Sequence, residues 1–132
     1  MRPSLLRLAR VLLGTPFVVL GYEAAAEPGP RVELARAMGI PEPELAVRAN
    51  GAAMALGGAA LAAGVLPHAA SLGLVASLAP TTVAGHPYWR MEDPGARKLN
   101  RIQVLKNLGL AGGLLAVAAI ARIEEQPAGS QS

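Results

Sequence analysis

The sequence predicts an all-α protein, an integral membrane bundle of four transmembrane helices. Two features of composition lead to this prediction. Hydrophobic residues make up 52% of the 132 residues and charged residues only 16%, whereas a soluble domain usually carries roughly 25% charge. Aromatic residues are 3% of the chain and glycine occurs 15 times, a composition typical of helices that pack closely in lipid. The third feature is a series of apolar runs, each about as long as a bilayer core.

The first predicted span covers about residues 5–26. Arg7 and Arg10 lie in its first turns, where long basic side chains reach the interface. Pro16 would kink this helix, which membrane helices tolerate. A cleaved secretory signal peptide is the alternative, because a basic start and an apolar stretch precede the sequence "AAAE".

The next two predicted spans cover about residues 46–66 and 68–85. A proline-rich segment precedes them, in which residues 32–38 are expected to form a short amphipathic helix at the interface. The turn between the two spans is very short, so they should run antiparallel. Small residues recur along one face of the second span: Gly51, Ala55, Gly58 and Ala62. Hydroxyl residues surround Pro80 in the third span, where they can bond freed backbone groups: Ser77, Thr81 and Thr82.

The fourth predicted span covers about residues 102–121. Its helix should begin earlier, with Asp93 as the cap and Pro94 in the first position. Gly109 and Gly113 form a GxxxG pair, and we expect their face to look into the bundle. Residues 1–123 would then be one membrane domain, and residues 124–132 a disordered tail.

Four spans place both termini on one side of the membrane. The flank of the first helix and the total loop charge point to opposite orientations, so the positive-inside rule leaves orientation open. A net charge of +3 raises the question of nucleic acid, but the charges lie between apolar runs, which disfavours that partner. The chain has no cysteine, which excludes disulfides and thiolate metal sites.

Charges inside the apolar runs are the first candidates for a functional site. Lys106 lies about one turn inside the fourth span, where a charge is costly unless it is paired or hydrated. Arg48 has a similar place in the second span, and Glu23 near the end of the first is a possible counter-ion. Asn50 and Asn107 accompany the two cations. The alternative is simple snorkelling to the interface.

A second candidate group is His86, Trp89 and Asp93, between the third and fourth spans. One interpretation is a pocket for a quinone or a lipid head group, with a histidine donor and an apolar wall. The other is an interfacial tryptophan beside a helix cap and a loop histidine. His68 and His86 cannot ligate the same haem within one chain, because they would lie about 27 Å apart along one helix. No metal site, phosphate loop or nucleophile elbow is predicted.

Three segments together carry a family resemblance: "RANGAAMALGGAALAAGVLP", "SLAPTTVAGHPYWRMEDPGARK" and "RIQVLKNLGLAGGLL". With them the chain resembles the DoxX family of small bacterial four-helix membrane proteins, above all its actinobacterial branch, over about residues 8–122. The matching positions are Arg48, Asn50, Pro80, Thr81, Thr82, Gly85, His86, Trp89, Asp93, Lys106, Asn107 and Gly109. Relatives often carry His-Phe where this chain has Gln103-Val104, and Tyr88 replaces a usual Phe.

The resemblance implies a multi-pass protein of the bacterial inner membrane. The family takes its name from a subunit of a thiosulfate–quinone oxidoreductase, and other members are linked to sulfur metabolism and redox stress. We therefore expect a non-catalytic subunit or assistant of a redox system, with an oxidoreductase partner and a quinone at the interface. The alternatives are an inner-membrane transporter or binding module for a lipid or small molecule, acting alone or as a homo-oligomer, and a scaffold without ligand.

Overall fold

A computed structural model describes residues 3–127 and residue 129. Within that part of the chain the secondary structure is entirely helical. The helices are α1 (Pro3–Ala26), α2 (Arg31–Ala37), α3 (Pro43–Ala63), α4 (Pro67–Gly85) and α5 (Pro94–Glu125), and a 3-10 turn (Tyr88–Arg90) joins the last two. The short helix predicted at 32–38 is α2, and its one buried residue is Ala35.

The four long helices pack as an antiparallel bundle. Helix α3 contacts α1 and α4, and α5 contacts α4 and, to a lesser extent, α1. We call the end where α1 and α4 finish the loop end, because α2 and the 3-10 turn lie there. The opposite end, with the first turn of α1, the α3–α4 turn and the last turn of α5, is the terminal end.

Helices α1 and α3 approach through glycines that repeat every seventh residue. A Cβ placed on Gly51 would lie 2.7 Å from the carbonyl oxygen of Gly21, and one on Gly58 would lie 2.6 Å from that of Gly14. Ala55 and Ala62 border the same contacts. The small-residue face predicted on the second span is therefore the surface on which α1 packs.

The core is small and apolar. It consists of Phe17, Met54, Leu61, Leu74, Leu78, Leu114 and Val117. Large aliphatic side chains such as Leu12, Leu56 and Leu115 are instead more than half exposed. An apolar surface around a thin core is what lipid, in place of water, requires of a helix bundle.

Three helices are long and apolar enough to cross a membrane: α1, α3 and α5. Helix α4 covers the third predicted span, but it is not among them. Its two prolines, its histidine and its paired threonines lower its hydropathy. The described structure thus gives three candidate spans and a fourth long helix, α4, packed against α3 and α5.

Only one member of the GxxxG pair of α5 points into the bundle, so that prediction was wrong for Gly109 and holds for Gly113. Gly109 and Gly112 are exposed, and a Cβ on either would meet nothing within 4 Å. Only Gly113 turns inward, towards Leu13 of α1. The residues that α5 buries are Leu114, Val117, Ala118 and Ala121.

Glu124 and Glu125, expected in a disordered tail, belong to the last turn of α5. Glu124 lies 3.0 Å from a guanidinium nitrogen of Arg10, and the interaction holds the end of α5 beside α1. The rest of the predicted tail includes residues 128 and 130–132, which lie outside the described residues.

Candidate functional site

A layer of polar side chains crosses the bundle near the loop end. Asn50 of α3 donates from its side-chain nitrogen to the Thr81 hydroxyl of α4 at 2.9 Å. The Thr81 hydroxyl in turn donates to the backbone oxygen of Ser77 at 2.8 Å. The hydroxyl is thus bonded both to its own helix and to its neighbour, which suits a region with little water.

Thr82 does the same on the other side of α4. Its hydroxyl donates to the Leu78 oxygen at 2.7 Å and accepts from the side-chain nitrogen of Asn107 at 2.9 Å. Consecutive helical residues point about 100° apart, so Thr81 and Thr82 reach different helices. Thr81 and Thr82 thus make local bonds as predicted, but their acceptors are not the Ala76 oxygen that Pro80 leaves without an amide partner, and the Ser77 hydroxyl makes no such bond in the described residues.

His86 and Asp93 secure the connection from α4 to α5. The Nδ1 atom of His86 lies 2.9 Å from the side-chain oxygen of Asn100. Asn100, which sequence reasoning missed, also donates to the Ala96 oxygen at 2.9 Å. Asp93 accepts from the backbone nitrogen of Ala96 at 2.8 Å and so caps α5, as predicted.

The proposed cluster of Glu23, Arg48 and Lys106 is not formed. Arg48 instead donates to the Ala25 oxygen at 2.6 Å, at the end of α1, and forms an ion pair with Glu44 at 3.1 Å. Glu23 and Lys106 are exposed. Arg48 therefore fixes the α1–α3 end, since a cation favourably caps the carbonyl end of a helix.

An open groove lies at the loop end beside the 3-10 turn, with a volume of about 750 Å³. Its walls include Tyr88, Trp89, Glu92, Arg97, Lys98 and Arg101. The two aromatic rings pack edge to face at 5.3 Å. Of the sequence candidates only Trp89 lines this groove. The basic residues of the groove could have been found from the sequence, because Arg97 and Arg101 are four residues apart and so share one face of a helix.

The terminal end has its own polar contacts, which sequence reasoning also missed. Nδ1 of His68 lies 2.8 Å from the Ala118 oxygen, joining α4 to α5. The side chain of Arg10 is only 12% exposed, and its Nε atom has no hydrogen-bond partner. The period of α1 was the available signal for Arg10, because this residue falls at helical spacing from the buried Leu6, Gly14 and Phe17, whereas Arg7 lies at the edge of that face and is exposed.

The chemistry of these groups is mainly that of hydrogen bonding between helices. In the described part of the chain, no three histidine, aspartate or glutamate side chains gather in a way that could hold a metal ion. The amides and hydroxyls of the polar layer bond one another, whereas the basic side chains of the groove are exposed.

The helices have an apolar outer surface, a thin core and a polar layer whose hydrogen bonds join neighbouring helices. These features define the chain as an all-helical membrane protein. The chain belongs to the DoxX family, whose family model matches residues 5–87. No curated protein and no solved structure matches the chain. The matched residues include Arg48, Asn50 and His86, whereas the resemblance beyond Pro87 stays a prediction.

Proposed function

We propose that this chain is a multi-pass protein of the bacterial inner membrane with four spans, and that it serves as a non-catalytic subunit or assistant of a redox system. The family supports the redox context, whether quinone-linked or concerned with sulfur and oxidative stress. The observation that carries the subunit role is an uncovered surface on α5.

This α5 surface consists of Gly109, Gly112 and Ala116, all exposed. The α1–α3 pair demonstrates what glycines do elsewhere in the molecule, since they bring two backbones into contact. Small residues on a membrane helix allow another helix to approach closely. The α5 surface is made of such small residues, and no helix of the described chain packs on it.

Lys106 indicates the chemistry of the helix that would cover this surface. It is exposed, and its side chain has neither an ion pair nor a hydrogen bond within the described residues. Lys106 lies in the same helical turn as Asn107, which bonds Thr82 in the polar layer. A charge at that depth favours a partner of opposite sign. We therefore expect a helix of the redox partner with an Asp or Glu at this level.

Helix α4 is the proposed fourth span. It is 19 residues long, about 28 Å at the rise of an α-helix, and contains no Asp, Glu, Lys or Arg. Two of its polar side chains, Thr81 and Thr82, bond Asn50 and Asn107 inside the bundle. Each polar group that a neighbouring helix satisfies lowers the cost of placing α4 in a bilayer, and among the buried side chains of α4 only the Ser71 hydroxyl has no partner in the described residues.

Mass spectrometry of the protein extracted in mild detergent tests the subunit role. We expect a stoichiometric oxidoreductase partner, with or without bound quinone, and its loss in the variant Gly109→Leu/Gly112→Leu. Gly73→Leu is the matched control, because Gly73 is also an exposed helical glycine with open space around it. A lone chain, a self-associated chain, or equal partner loss in both variants would contradict the proposal.

A second candidate function is binding or transport of a lipid or small molecule. The groove beside the 3-10 turn favours it, because aromatic and basic side chains meet there. A chain that copurifies with neither partner nor quinone but retains lipid would support this second function.

A further inference from the structure

The groove beside the 3-10 turn has an unbalanced charge. Three basic side chains, Arg97, Lys98 and Arg101, face it together with a single acid, Glu92. None of the three basic side chains has an ion pair or hydrogen bond within residues 3–127. By contrast, Arg10, Arg36 and Arg48 each pair with a glutamate. The groove therefore has three cations against one acid, and no ion pair joins them in the described chain.

Asp93 already caps the first turn of α5, so a ligand would not be bound by the free backbone amides of that turn. The unpaired positive charge is that of Arg97, Lys98 and Arg101, on the side of the helix. Asp93 accepts from the Ala96 nitrogen, and its own backbone oxygen accepts from the Arg97 nitrogen at 2.9 Å. Residues 97 and 101 lie one turn apart on one face of the helix. Two guanidinium groups at that spacing can donate several parallel hydrogen bonds to one tetrahedral anion.

The other wall of the groove is aromatic. Trp89 is 48% exposed and packs edge to face with Tyr88. Indole and phenol rings favour the boundary between head groups and acyl chains. The basic residues of the groove end at Arg101, and the apolar part of α5 begins at Ile102, with Lys106 as the one charge in its first turns. The groove thus lies at the boundary between the polar first turns of α5 and its apolar remainder.

We propose that this groove is a binding site for a phosphate group. Its ligand is the phosphate of an anionic phospholipid, held by Arg97 and Arg101 with Lys98 as an additional cation, and Trp89 contacts the glycerol and upper acyl region. A free phosphate or a soluble phosphorylated molecule offers the same chemistry and is the competing source. This inference depends on the membrane placement in the proposed function, and it is independent of the redox partner.

The chain contains one tryptophan, Trp89, which makes the groove directly observable by fluorescence. The full chain is placed in bilayer discs of phosphatidylcholine with a minor fraction of phosphatidylglycerol, and bromine is carried on the upper acyl carbons of one lipid at a time. We expect brominated phosphatidylglycerol to quench Trp89 more than brominated phosphatidylcholine at the same mole fraction. Each basic residue near an anionic lipid favours it by roughly fivefold.

The variant Arg97→Gln/Arg101→Gln should abolish this preference. Arg97→Lys/Arg101→Lys should retain part of it, because lysine keeps the charge and loses the planar donor fork. The matched control is Arg31→Gln/Arg36→Gln, which removes two exposed charges from α2 at the same end of the bundle. If the control lost the preference for phosphatidylglycerol equally, the preference would come from the overall positive charge of this end of the protein. That result would overturn the proposed binding site.

The remaining outcomes separate the sources. Inorganic phosphate that shifts Trp89 fluorescence in pure phosphatidylcholine discs, and displaces the phosphatidylglycerol effect, would support the site and assign it to a soluble phosphate. Equal quenching by both lipids, without a phosphate response, would overturn the site while leaving the membrane placement intact. Quenching by neither lipid would contradict the membrane placement itself and, with it, the lipid ligand.

Discussion

The two asparagine–threonine pairs are the most informative contacts at the scale of single residues. In each pair a threonine hydroxyl donates to its own helix and accepts from an asparagine of another helix. The threonine alone would lose little by facing lipid, because its hydroxyl is satisfied locally. Within the described chain the Asn107 amide bonds no group of its own helix and the Asn50 amide only the Met54 sulfur at 3.6 Å, so the position of each depends on the neighbouring helix.

A double-mutant cycle on Asn50 and Thr81 should give a coupling free energy of about 0.5–1.5 kcal/mol. The variants are Asn50→Leu and Thr81→Val, alone and combined, and the measurement is reversible unfolding in mixed micelles. Thr15→Val is the control, because the Thr15 hydroxyl bonds only the Val11 oxygen of its own helix. If the coupling free energy between Asn50 and Thr15 were as large as that between Asn50 and Thr81, the coupling would not report the direct hydrogen bond. The Asn50 substitution would then act by destabilising the whole bundle.

Part of this residue-level picture follows from the sequence. A threonine hydroxyl within a helix bonds the backbone oxygen four residues earlier, so Thr81 and Thr82 predict the local bonds to the Ser77 and Leu78 oxygens. The partners on other helices do not follow, because they depend on how α3 and α5 rotate about their axes. Lys106 illustrates the same limit: a charge in an apolar run indicates a polar environment without indicating on which side of the helix it lies.

Glycine spacing has two different consequences at the scale of helices. On α1 and α3 the glycines at seven-residue intervals meet each other, whereas on α5 the glycines at 109 and 112 face outward. Periodicity identifies a face of small residues in both cases. Which face meets a neighbour is decided by packing: Leu114 and Val117 place their side of α5 in the core and turn Gly109 and Gly112 away.

Alanine at position 51 should therefore destabilise the bundle, while alanine at position 73 should not. The added methyl of Gly51→Ala would stand 2.7 Å from the Gly21 carbonyl oxygen, and separating the two backbones should cost about 1–3 kcal/mol. Gly73→Ala meets open space and gains helix propensity of about 0.5–1 kcal/mol. Thermal unfolding in detergent should thus shift in opposite directions. Equal and small shifts would contradict close packing between α1 and α3.

At the scale of the whole molecule, hydrogen bonds and ion pairs close both ends of the bundle. Arg48 holds the end of α1 at the loop end, and at the terminal end Arg10 pairs with Glu124 while His68 contacts the Ala118 oxygen. These interactions tie helices that are distant in sequence, which is why sequence patterns did not reveal them. The membrane class was predictable because it depends on summed hydropathy, to which every residue contributes independently.

The number of spans is the remaining question at this scale, and a chain without cysteine is suited to answer it. Single cysteines at Ser4, Glu27, Val65, Glu92 and Gln126 probe the turns and ends, and all five native residues are exposed. If α4 crosses the membrane, an impermeant maleimide should label positions 4, 65 and 126 from one face and positions 27 and 92 from the other. If only α1, α3 and α5 cross, positions 92 and 126 exchange faces while the others remain unchanged.

The labels at 92 and 126 therefore decide between four spans and three, and intact and inverted vesicles supply the two faces. We expect the four-span pattern, because the cross-helix bonds of Thr81 and Thr82 satisfy two of the polar groups that lower the hydropathy of α4. Glu92→Cys and Gln126→Cys leave the polar layer untouched, so a three-span pattern would not be an effect of the probes. It would mean that α4 stays on one side, and that hydrogen bonding within the bundle does not compensate for its lower hydropathy.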